Sequence, residues 1–378
     1  MTVYLDNNAT TRPARAVVAA VVEMMGSGYG NPASSHVVGR AALGEIDQAR
    51  ARVASLIGVR PSRLVWTSGS TEALNTALHA VARTHRHLLV PRTEHKAVLD
   101  TSDRLAAVGV PVTWVDVDSS GVVTTEAVEA AIPDRPFALA VMAANNETGV
   151  LNDIATLAGV VHERGGVVVC DATQQVGKIG IDLAAWDVDY AAISAHKFYG
   201  PPGIGALVVP TGSSPAPLIH GGGHQGGWRS GTLNAPGIVG FGVASALASE
   251  SLASGSTQIA AMRDQLRRDL EGSLGPCPVN GGTAPRLPNT LNIRIPGVDA
   301  DALIVNCPSV AFSSGSACTS AVPTPSHVLT AMGLSPVHAE ESIRLSVGAD
   351  TTWDDVRSAA KDLVAAAVRV RDLTDWSV

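Results

Sequence analysis

From about residue 61 onward the chain alternates short β-branched runs with longer amphipathic stretches. The short runs have the length and composition of buried strands, and the stretches between them have the apolar spacing of helices. Such alternation predicts an α/β fold with a mostly parallel sheet of seven strands and helices on both faces. The predicted strands are Arg63–Thr67, His87–Val90, Pro111–Val117, Phe137–Ala143, Gly166–Cys170, Val188–Ile193 and Gly205–Val209, and the predicted helices between them are Thr71–Ala82, Lys96–Val108, Glu126–Ile132 and Asp153–Arg164.

After Gly212 the pattern changes to a glycine-rich stretch at 220–228 and then to a second set of elements. We expect two units: a large domain at 12–250, and a smaller α/β domain formed by 1–11 together with 251–378. The predicted elements here are helices at Pro236–Glu250, Gln258–Ser273, Asp301–Asn306 and from Thr352, and strands at Thr290–Ile295, Ala311–Phe312 and Ser342–Val347.

Composition narrows the class of protein. The chain has 378 residues, 46% of them hydrophobic, with a formal net charge of −7 and no block of Lys or Arg that would follow a nucleic-acid backbone. The start of the chain lacks the basic and then apolar run of a signal peptide. No apolar stretch approaches the roughly 18 residues of a membrane span. We expect a cytoplasmic protein with no direct nucleic-acid or membrane contact.

Four cysteines are too few and too scattered for a disulfide framework, and none shows metal-ligand spacing, so no metal is expected. Cys170 has apolar neighbours that are typical of core packing. Cys318 lies in the small, polar stretch Ser313-Ser-Gly-Ser-Ala-Cys-Thr-Ser320, which predicts an exposed loop from which a thiolate can attack. An incidental surface thiol is the alternative.

Two residues at predicted strand ends carry complementary charges. Lys197 follows a buried strand amid small residues, where a desolvated amine can form a Schiff base. Asp171 ends the preceding strand, where a carboxylate is costly unless it meets a cation such as the pyridinium of pyridoxal phosphate. Taken singly, Lys197 also fits a surface lysine, and Asp171 also fits a helix cap.

Two further features are weak alone. Thr67-Ser-Gly-Ser70-Thr71 leads from a strand into a helix, and its free N–H groups and hydroxyls suit a phosphate, although plain capping explains them nearly as well. His95 follows another strand and could stack on a ring or move protons. A structural histidine is the alternative there.

Taken together, eight motifs in order resemble the cysteine desulfurases of the NifS and IscS type, which are fold type I pyridoxal-phosphate enzymes. The likeness runs nearly end to end. The motifs are Tyr4-Leu-Asp-Asn-Asn-Ala-Thr-Thr11, Gly30-Asn-Pro-Ala-Ser-Ser-His36, Thr93-Glu-His-Lys96, Asn145-Asn-Glu-Thr-Gly149, Asp171-Ala-Thr-Gln174, Ser194-Ala-His-Lys197, Arg229-Ser-Gly-Thr232 and Ser313 to Ser320.

The resemblance implies conversion of L-cysteine to L-alanine, with the sulfur moved to Cys318 as a persulfide for an acceptor protein. It also implies pyridoxal 5′-phosphate as cofactor and a homodimer. By this resemblance, Lys197 would attach the cofactor, Asp171 would pair with its pyridinium nitrogen, and His95 would stack on its ring. Gln174 and Asn146 would contact the phenolic oxygen, and Arg344 and Asn146 would bind the substrate carboxylate. The phosphate would be bound by Ser70, Thr71, Ser194, His196 and, from the second subunit, Thr232.

Some positions depart from the family pattern. Ala73 and Leu74 replace polar residues, Gln225-Gly-Gly-Trp228 differs from the commoner form, and the C-terminal extension of housekeeping members is absent. The acceptor therefore stays open between iron–sulfur cluster assembly, tRNA thiolation, DNA phosphorothioation and a sulfur-containing metabolite. Alternatives for the activity are a selenocysteine lyase, ordinary transamination, or a non-catalytic scaffold in a sulfur-transfer complex.

Overall fold

Twelve strands are present in the computed structural model, which describes residues 2–85, 87–254, 257–314 and 325–375. They are β1 (Val3–Tyr4), β2 (Leu64–Thr67), β3 (Leu88–Pro91), β4 (Val112–Val115), β5 (Ala138–Met142), β6 (Val167–Asp171), β7 (Tyr190–Ser194), β8 (Gly205–Val208), β9 (Thr290–Arg294), β10 (Val310–Ala311), β11 (Ser313–Ser314) and β12 (Ser342–Ser346).

Helices connect most of these strands within the same described ranges. They are α1 (Arg15–Gly26), α2 (Val37–Leu56), α3 (Ser70–Thr84), α4 (Lys96–Ala107), α5 (Thr125–Ala131), α6 (Ile154–Glu163), α7 (Ala235–Ser254), α8 (Thr257–Leu274), α9 (Ala300–Asn306), α10 (His327–Ala331), α11 (Pro336–Glu340) and α12 (Trp353–Asp375). The sequence patterns predicted neither α1 and α2 nor the short α10 and α11.

The largest sheet contains the seven predicted strands in the order β2-β8-β7-β6-β5-β3-β4, so the predicted sheet is confirmed. Only β8 runs antiparallel to its neighbours, and the other pairings are parallel. The carboxyl ends of the six codirectional strands therefore share one edge, which is where parallel sheets bind ligands.

Both faces of this sheet are buried. Along β5, Leu139 and Val141 belong to one hydrophobic cluster, and Ala138 and Ala140 belong to the cluster on the opposite face. Successive side chains of a strand point to opposite faces, so such continuous apolar runs need cover on both sides. Helices α2, α6 and α7 cover one face, and α3 and α4 cover the other.

A second core forms around a three-stranded antiparallel sheet, in the order β11-β12-β9. Its hydrophobic cluster combines Leu5 with residues of α8, α9, β9, β12 and α12. Strand β1 pairs with β10, which joins the N-terminal segment to this region. The N-terminal segment thus leaves the smaller core and runs directly to the edge of the large sheet.

Helix α7 corrects one expectation. In the part of the chain that the structure describes, Ala235–Leu252 is 18 residues long with a mean hydropathy of 1.2, which is long and apolar enough to cross a membrane. Half of this stretch is buried within the protein, where α7 packs against α1 and α2. That packing is typical of a core helix, and the expected cytoplasmic location stays a prediction.

Candidate active site

Lys197 stands just beyond the carboxyl end of β7, at the position that the strand prediction gave it. It ends a single 3₁₀ turn, Ala195–Lys197, that follows the strand. Its Nζ donates hydrogen bonds to the backbone carbonyl oxygens of Asn8 (2.7 Å) and Ala9 (2.8 Å). The amine is therefore held between the large sheet and the N-terminal segment.

Asp171 is the last residue of the neighbouring strand β6, where it pairs with Ala192 of β7. Its side chain is buried, and Oδ1 accepts a hydrogen bond from the backbone N–H of Thr173 at 3.0 Å. Turns rather than a helix follow it, so the structure does not support the helix-cap interpretation. A buried carboxylate at this edge needs a cationic partner.

His95 has a structural role that is compatible with a catalytic one. It caps α4, since its Nδ1 accepts a hydrogen bond from the backbone N–H of Ala97 at 3.0 Å. Burial lowers the pKa of His95 below its ordinary 6.5, Asp171 opposes that shift, and Lys197 reinforces it. The ring is therefore neutral at neutral pH, with its proton on Nε2 because Nδ1 is an acceptor.

The start of α3 has the features that suit an anion. Its N-cap residue, Gly69, makes no side-chain cap, so the first N–H groups of a 15-residue helix are not satisfied in the usual way. Ser70 and Thr71 open the helix, and Ser194 ends β7 beside it. A Cβ on Gly205 would lie 2.6 Å from Gly69 Cα, so this close approach of β8 to the helix start requires glycine.

His196 lies beside the lysine rather than away from it. Its Nδ1 is 3.1 Å from Thr10 Oγ1. Burial, together with repulsion from Lys197 and Lys178, lowers the pKa of His196 to about 4. A neutral imidazole results, which can hydrogen-bond a phosphate without adding charge.

Gln174 and Asn146 approach the same point of the N-terminal segment. Gln174 Nε2 donates to the carbonyl oxygen of Asn8 at 2.9 Å, and its Oε1 accepts from Lys178 Nζ at 2.7 Å. The carbonyl oxygen of Asn146 accepts from Arg344 Nη1 at 3.0 Å and from Asn8 Nδ2 at 3.3 Å. Asn8 therefore links both predicted site residues.

Arg344 enters from β12 of the smaller sheet. Its side chain is buried, and Nη2 donates to Asp6 Oδ1 (2.7 Å) and to Ser313 Oγ (3.1 Å). Its buried Nε has no hydrogen-bond partner among the described residues. A guanidinium that keeps an unused donor in a buried site is suited to a carboxylate ligand.

Cys318 lies outside the described residues, but both flanks of its segment are described and both contact acids of the site. Ser313 Oγ donates to Asp6 Oδ1 at 2.8 Å. Ser326 Oγ donates to Glu147 Oε2 at 2.5 Å. Cys318 is the fourth residue after Ser314 in the sequence.

The other three cysteines are buried. Burial raises the pKa of the Cys170 thiol well above its ordinary value, and to a smaller extent raises the pKa values of Cys277 and Cys307. Such thiols stay protonated and unreactive. The core-packing interpretation of Cys170 is confirmed by its place in the cluster beneath the sheet.

Thr232 is exposed, in the segment that follows the glycine-rich stretch. An ion pair between Arg229 Nε and Glu72 Oε1 (3.0 Å) holds this segment against the start of α3. The role of Thr232 in a second subunit stays a prediction.

Two buried acids belong to the site and were missed as functional residues. Glu94 Oε1 accepts from the backbone N–H of Met142 at 2.7 Å, and burial together with Asp171 raises the pKa of Glu94 well above its ordinary range. Burial also raises the pKa of Glu147 to about 7, although Ser326 and Arg344 oppose the shift. Both acids lie inside quoted motifs, but nothing in a local pattern reveals a buried carboxyl group.

The donor set fits pyridoxal phosphate. An amine (Lys197), a buried carboxylate (Asp171) and an uncapped helix start (α3) lie along one edge of the large sheet, with a neutral histidine (His95) beside them. Within the described ranges, no group of three or more His, Cys, Asp or Glu side chains is placed to hold a metal.

Comparisons with known proteins agree with this geometry. The family described as aminotransferase class-V matches residues 3–358. A "Cysteine desulfurase" of Frankia sp. (strain EuIK1) is 42% identical, with 98% of this chain and 93% of that protein covered. A solved "NIFS-LIKE PROTEIN" has a TM-score of 0.90 at 35% identity, with 100% of both chains covered. The solved "SspA in complex with cysteine" has a TM-score of 0.81 at 32% identity, with 92% of this chain and 99% of that chain covered.

Proposed function

Because the chain belongs to the class-V aminotransferase family, among its cysteine desulfurases of the NifS and IscS type, we propose that it converts L-cysteine to L-alanine and moves the sulfur to Cys318. In the balanced reaction, L-cysteine and the Cys318 thiol give L-alanine and a Cys318 persulfide. The substrate C–S bond breaks, an S–S bond forms, and the α-amino acid gains hydrogen in place of sulfur. No external oxidant or reductant is required.

The observation that carries this proposal is a connected set of contacts. Asp171 and Lys197 lie at and just beyond the ends of adjacent strands, and Lys197 is linked to Arg344 of the smaller sheet through Asn8 and Asn146. Lys197 and Asp171 are the groups that a pyridoxal enzyme requires, and the guanidinium of Arg344 can form paired hydrogen bonds with an α-carboxylate. This link between two separate elements of the fold supports a shared site for cofactor and substrate.

Pyridoxal 5′-phosphate is the cofactor that these residues would hold. When bound, it supplies an electron sink for the substrate α-carbon. The proposed holding residues are Lys197 for the aldehyde carbon, Asp171 for the ring nitrogen, His95 for the ring face, Gln174 and Asn146 for the phenolic oxygen, and Ser70, Thr71, Ser194 and His196 for the phosphate.

Separate side chains of the protein would bind the substrate and transfer protons. Arg344, with Asn146, binds the carboxylate of L-cysteine and fixes the orientation of its α-carbon. Lys197 Nζ, released when substrate binds, carries protons to and from that carbon. His95, neutral and protonated on Nε2, can donate a hydrogen bond or a proton near the reacting sulfur.

Cys318 would receive the sulfur and pass it to an acceptor protein. Its segment is attached at both ends to the substrate side of the site, through Ser313 and Ser326. These two contacts keep the described ends of the segment beside the substrate side of the site.

We also propose that the functional unit is a homodimer. Helix α1 buries Val17 and Met24 in the core, yet Val18, Val22 and Met25 are exposed on another side of it. A helix with two apolar faces needs a second partner surface. An open groove lined by residues of α3 and α4, Thr71 and His95 among them, lies beside the proposed anion site, and Thr232 of the partner subunit would complete that site.

The domain division is likewise a proposal: residues 12–250 form one unit, and 1–11 with 251–378 form the other. It is supported by the packing of Leu5 with the cluster of α8, β9, β12 and α12 rather than with the large sheet. The small cluster of α10 and α11 packs against Val117 and so touches the larger unit.

The activity is tested by incubating the reconstituted enzyme with L-cysteine and measuring alanine and protein-bound persulfide. The wild type should form both, with one persulfide per chain in the absence of an acceptor or reductant. Cys318→Ala should bind cofactor and cysteine but form no persulfide, whereas Cys277→Ala, which removes a buried thiol, should behave as wild type. Alanine from neither wild type nor variant, despite bound cofactor, would refute the proposed reaction.

The dimer is tested by sedimentation. Val22→Glu places a charge on the exposed apolar side of α1 and should yield monomers with weakened cofactor binding. Val368→Glu, at an exposed position of α12, is the matched control and should leave the dimer intact. A fully active wild-type monomer would contradict the shared site.

A further inference from the structure

Lys178 is a second lysine of the site to which neither the sequence motifs nor the proposed chemistry assigns a role. It lies one helical-type turn after Gln174. Its Nζ donates to Gln174 Oε1 at 2.7 Å and to Asn8 Oδ1 at 3.0 Å. Both acceptors are amide side chains, and both amides belong to the network around Lys197.

A lysine contact determines which way an amide points. The two ends of a Gln or Asn side chain have nearly the same shape, but one end accepts hydrogen bonds and the other donates them. An ammonium group has only donors, so it must face the oxygen end. Lys178 therefore directs Gln174 Nε2 to the other side, towards the Asn8 carbonyl oxygen at 2.9 Å.

That carbonyl oxygen also accepts from Lys197 Nζ at 2.7 Å. The NH₂ group of Gln174 and the amine of Lys197 thus converge on one atom. An oxygen of the cofactor held beside Gln174 would meet the donor end of that amide rather than its carbonyl end. An anionic phenolic oxygen requires a donor at this point.

Asn8 is fixed in the same manner. Its Oδ1 accepts from Lys178 and from Asn289 Nδ2 at 3.0 Å, which leaves Nδ2 to donate to Thr290 Oγ1 at 2.8 Å. A flip of this amide would turn those favourable contacts into unfavourable ones. Lys178 thus orients two amides, one on the large sheet side and one in the N-terminal segment.

Burial lowers the pKa of Lys178 well below its ordinary value, and repulsion from Lys197 and Arg344 adds to this shift. The neutral amine would still keep two N–H bonds, one for each amide oxygen. The contacts to Gln174 and Asn8 are thus available in both charge states.

We propose that Lys178 is a positioning residue that holds Gln174 with its NH₂ group facing the cofactor's phenolic oxygen. This inference rests on the proposed cofactor site, but it does not depend on which amino acid is the substrate. Loss of Lys178 would allow Gln174 to rotate and present its carbonyl oxygen to an anionic oxygen.

The test compares reconstituted Lys178→Met with wild type and with Lys361→Met, the same substitution at an exposed position of α12. Lys178→Met should change the visible absorption of the bound cofactor in the absence of cysteine and should lower kcat by about tenfold to a hundredfold, the cost of a misplaced polar group in a buried site. Lys361→Met should change neither.

A conservative variant and a double variant separate orientation from general structural damage. Lys178→Arg keeps donors only, and the cavity lined by Gly177, Lys178 and Ser251 gives the larger head group space, so it should restore most of the spectrum and kcat. Lys178→Met combined with Gln174→Ala should lose much less than the sum of the two single losses, because the main effect of Lys178 passes through Gln174.

A Lys178→Met enzyme with the wild-type spectrum and kcat would overturn the inference, as would full additivity in the double variant. The spectrum is read without cysteine. A wild type that binds cofactor but does not desulfurate cysteine would therefore refute the proposed reaction while the comparison of spectra still decides the role of Lys178. A wild type that binds no pyridoxal phosphate would overturn both.

Discussion

The two halves of the candidate site are built in different ways. In the cofactor half, Asp171, Ser194 and Lys197 stand at or just beyond the ends of two adjacent strands, and the parallel pairing of β6 with β7 fixes their spacing. In the substrate half, Arg344 comes from the smaller sheet and Asp6 from the N-terminal segment, and side-chain hydrogen bonds across the two regions fix their positions.

The two modes of support correspond to two tasks, cofactor binding and substrate binding. A ladder of backbone hydrogen bonds between β6 and β7 holds the cofactor half. The substrate half is instead held by side chains: Arg344 Nη2 donates to Asp6 and Ser313, Nη1 donates to the Asn146 carbonyl oxygen, and only Nε has no partner among the described residues. Changes in the first half should therefore act on the cofactor, and changes in the second half should act on KM while the cofactor stays bound.

The largest effect is expected for Lys197→Ala. Removal of the attachment amine and proton carrier should lower kcat by at least about a thousandfold. The protein should retain cofactor only noncovalently, as borohydride trapping followed by mass measurement will show. Lys361→Ala, on the exposed side of α12, is the control. Covalent trapping of pyridoxal phosphate on the Lys197→Ala protein would mean that another lysine attaches the cofactor, and would contradict the assignment of Lys197 to the cofactor half.

Arg344→Lys should weaken substrate binding and leave the cofactor half unchanged. An ammonium cannot form the paired hydrogen bonds of a guanidinium, so KM for L-cysteine should rise about tenfold to a hundredfold, corresponding to the loss of a charged hydrogen bond worth about 1.5–3 kcal/mol. The cofactor absorption should not change. Arg357→Lys on the surface of α12 should leave KM unaltered, and a shifted cofactor spectrum in Arg344→Lys would contradict the division.

Glu147→Gln tests the substrate half through the pH dependence of protein stability. Its folded pKa of about 7 lies above the ordinary 4.5, so between these values the folded protein holds a proton that the unfolded chain releases. Stability is therefore lost as pH rises through that window and is constant above it. Glu147→Gln should be more stable than wild type at pH 8 by about 1–2 kcal/mol, after allowing for a weakened bond to Ser326, and should lose that advantage at pH 5.

Thermal unfolding of the apoprotein at the two pH values measures this difference. Glu163→Gln, at an exposed position at the end of α6, is the matched control. Its unfolding temperature should differ from that of wild type by the same amount at pH 5 and at pH 8. Equal unfolding temperatures for wild type and Glu147→Gln at pH 8 would mean that burial does not penalise the ionised carboxylate of Glu147, and would contradict its raised pKa.

The smallest effect is expected for Thr71→Ala. The variant removes one hydroxyl from the anion site but leaves the N–H groups of α3 in place. Cofactor affinity should fall by about two- to tenfold, the value of one neutral hydrogen bond. Fluorescence titration with pyridoxal phosphate measures it, and Thr125→Ala at the start of α5 should bind as wild type does.

The large sheet could be predicted because its signal is local. All seven strand predictions overlap observed strands, since buried parallel strands are continuous apolar runs. The placement of Lys197 and Asp171 at one edge followed from the same pattern, because parallel strands end together. Helices α1 and α2 were missed, and the exposed valines and methionine of α1 blur the alternation on which a prediction depends.

By itself, the sequence determined the fold class, the family and the candidate residues of the cofactor half, because each of these is encoded in runs or motifs a few residues long. Only the tertiary structure decided the network in which Asn8 meets Lys178, Asn146 and Thr290, and the burial that raises the pKa values of Glu94 and Glu147. The partners of Asn8 lie more than a hundred residues away along the chain. Hydrogen-bond direction and desolvation depend on neighbours in space, and no local periodicity carries that information.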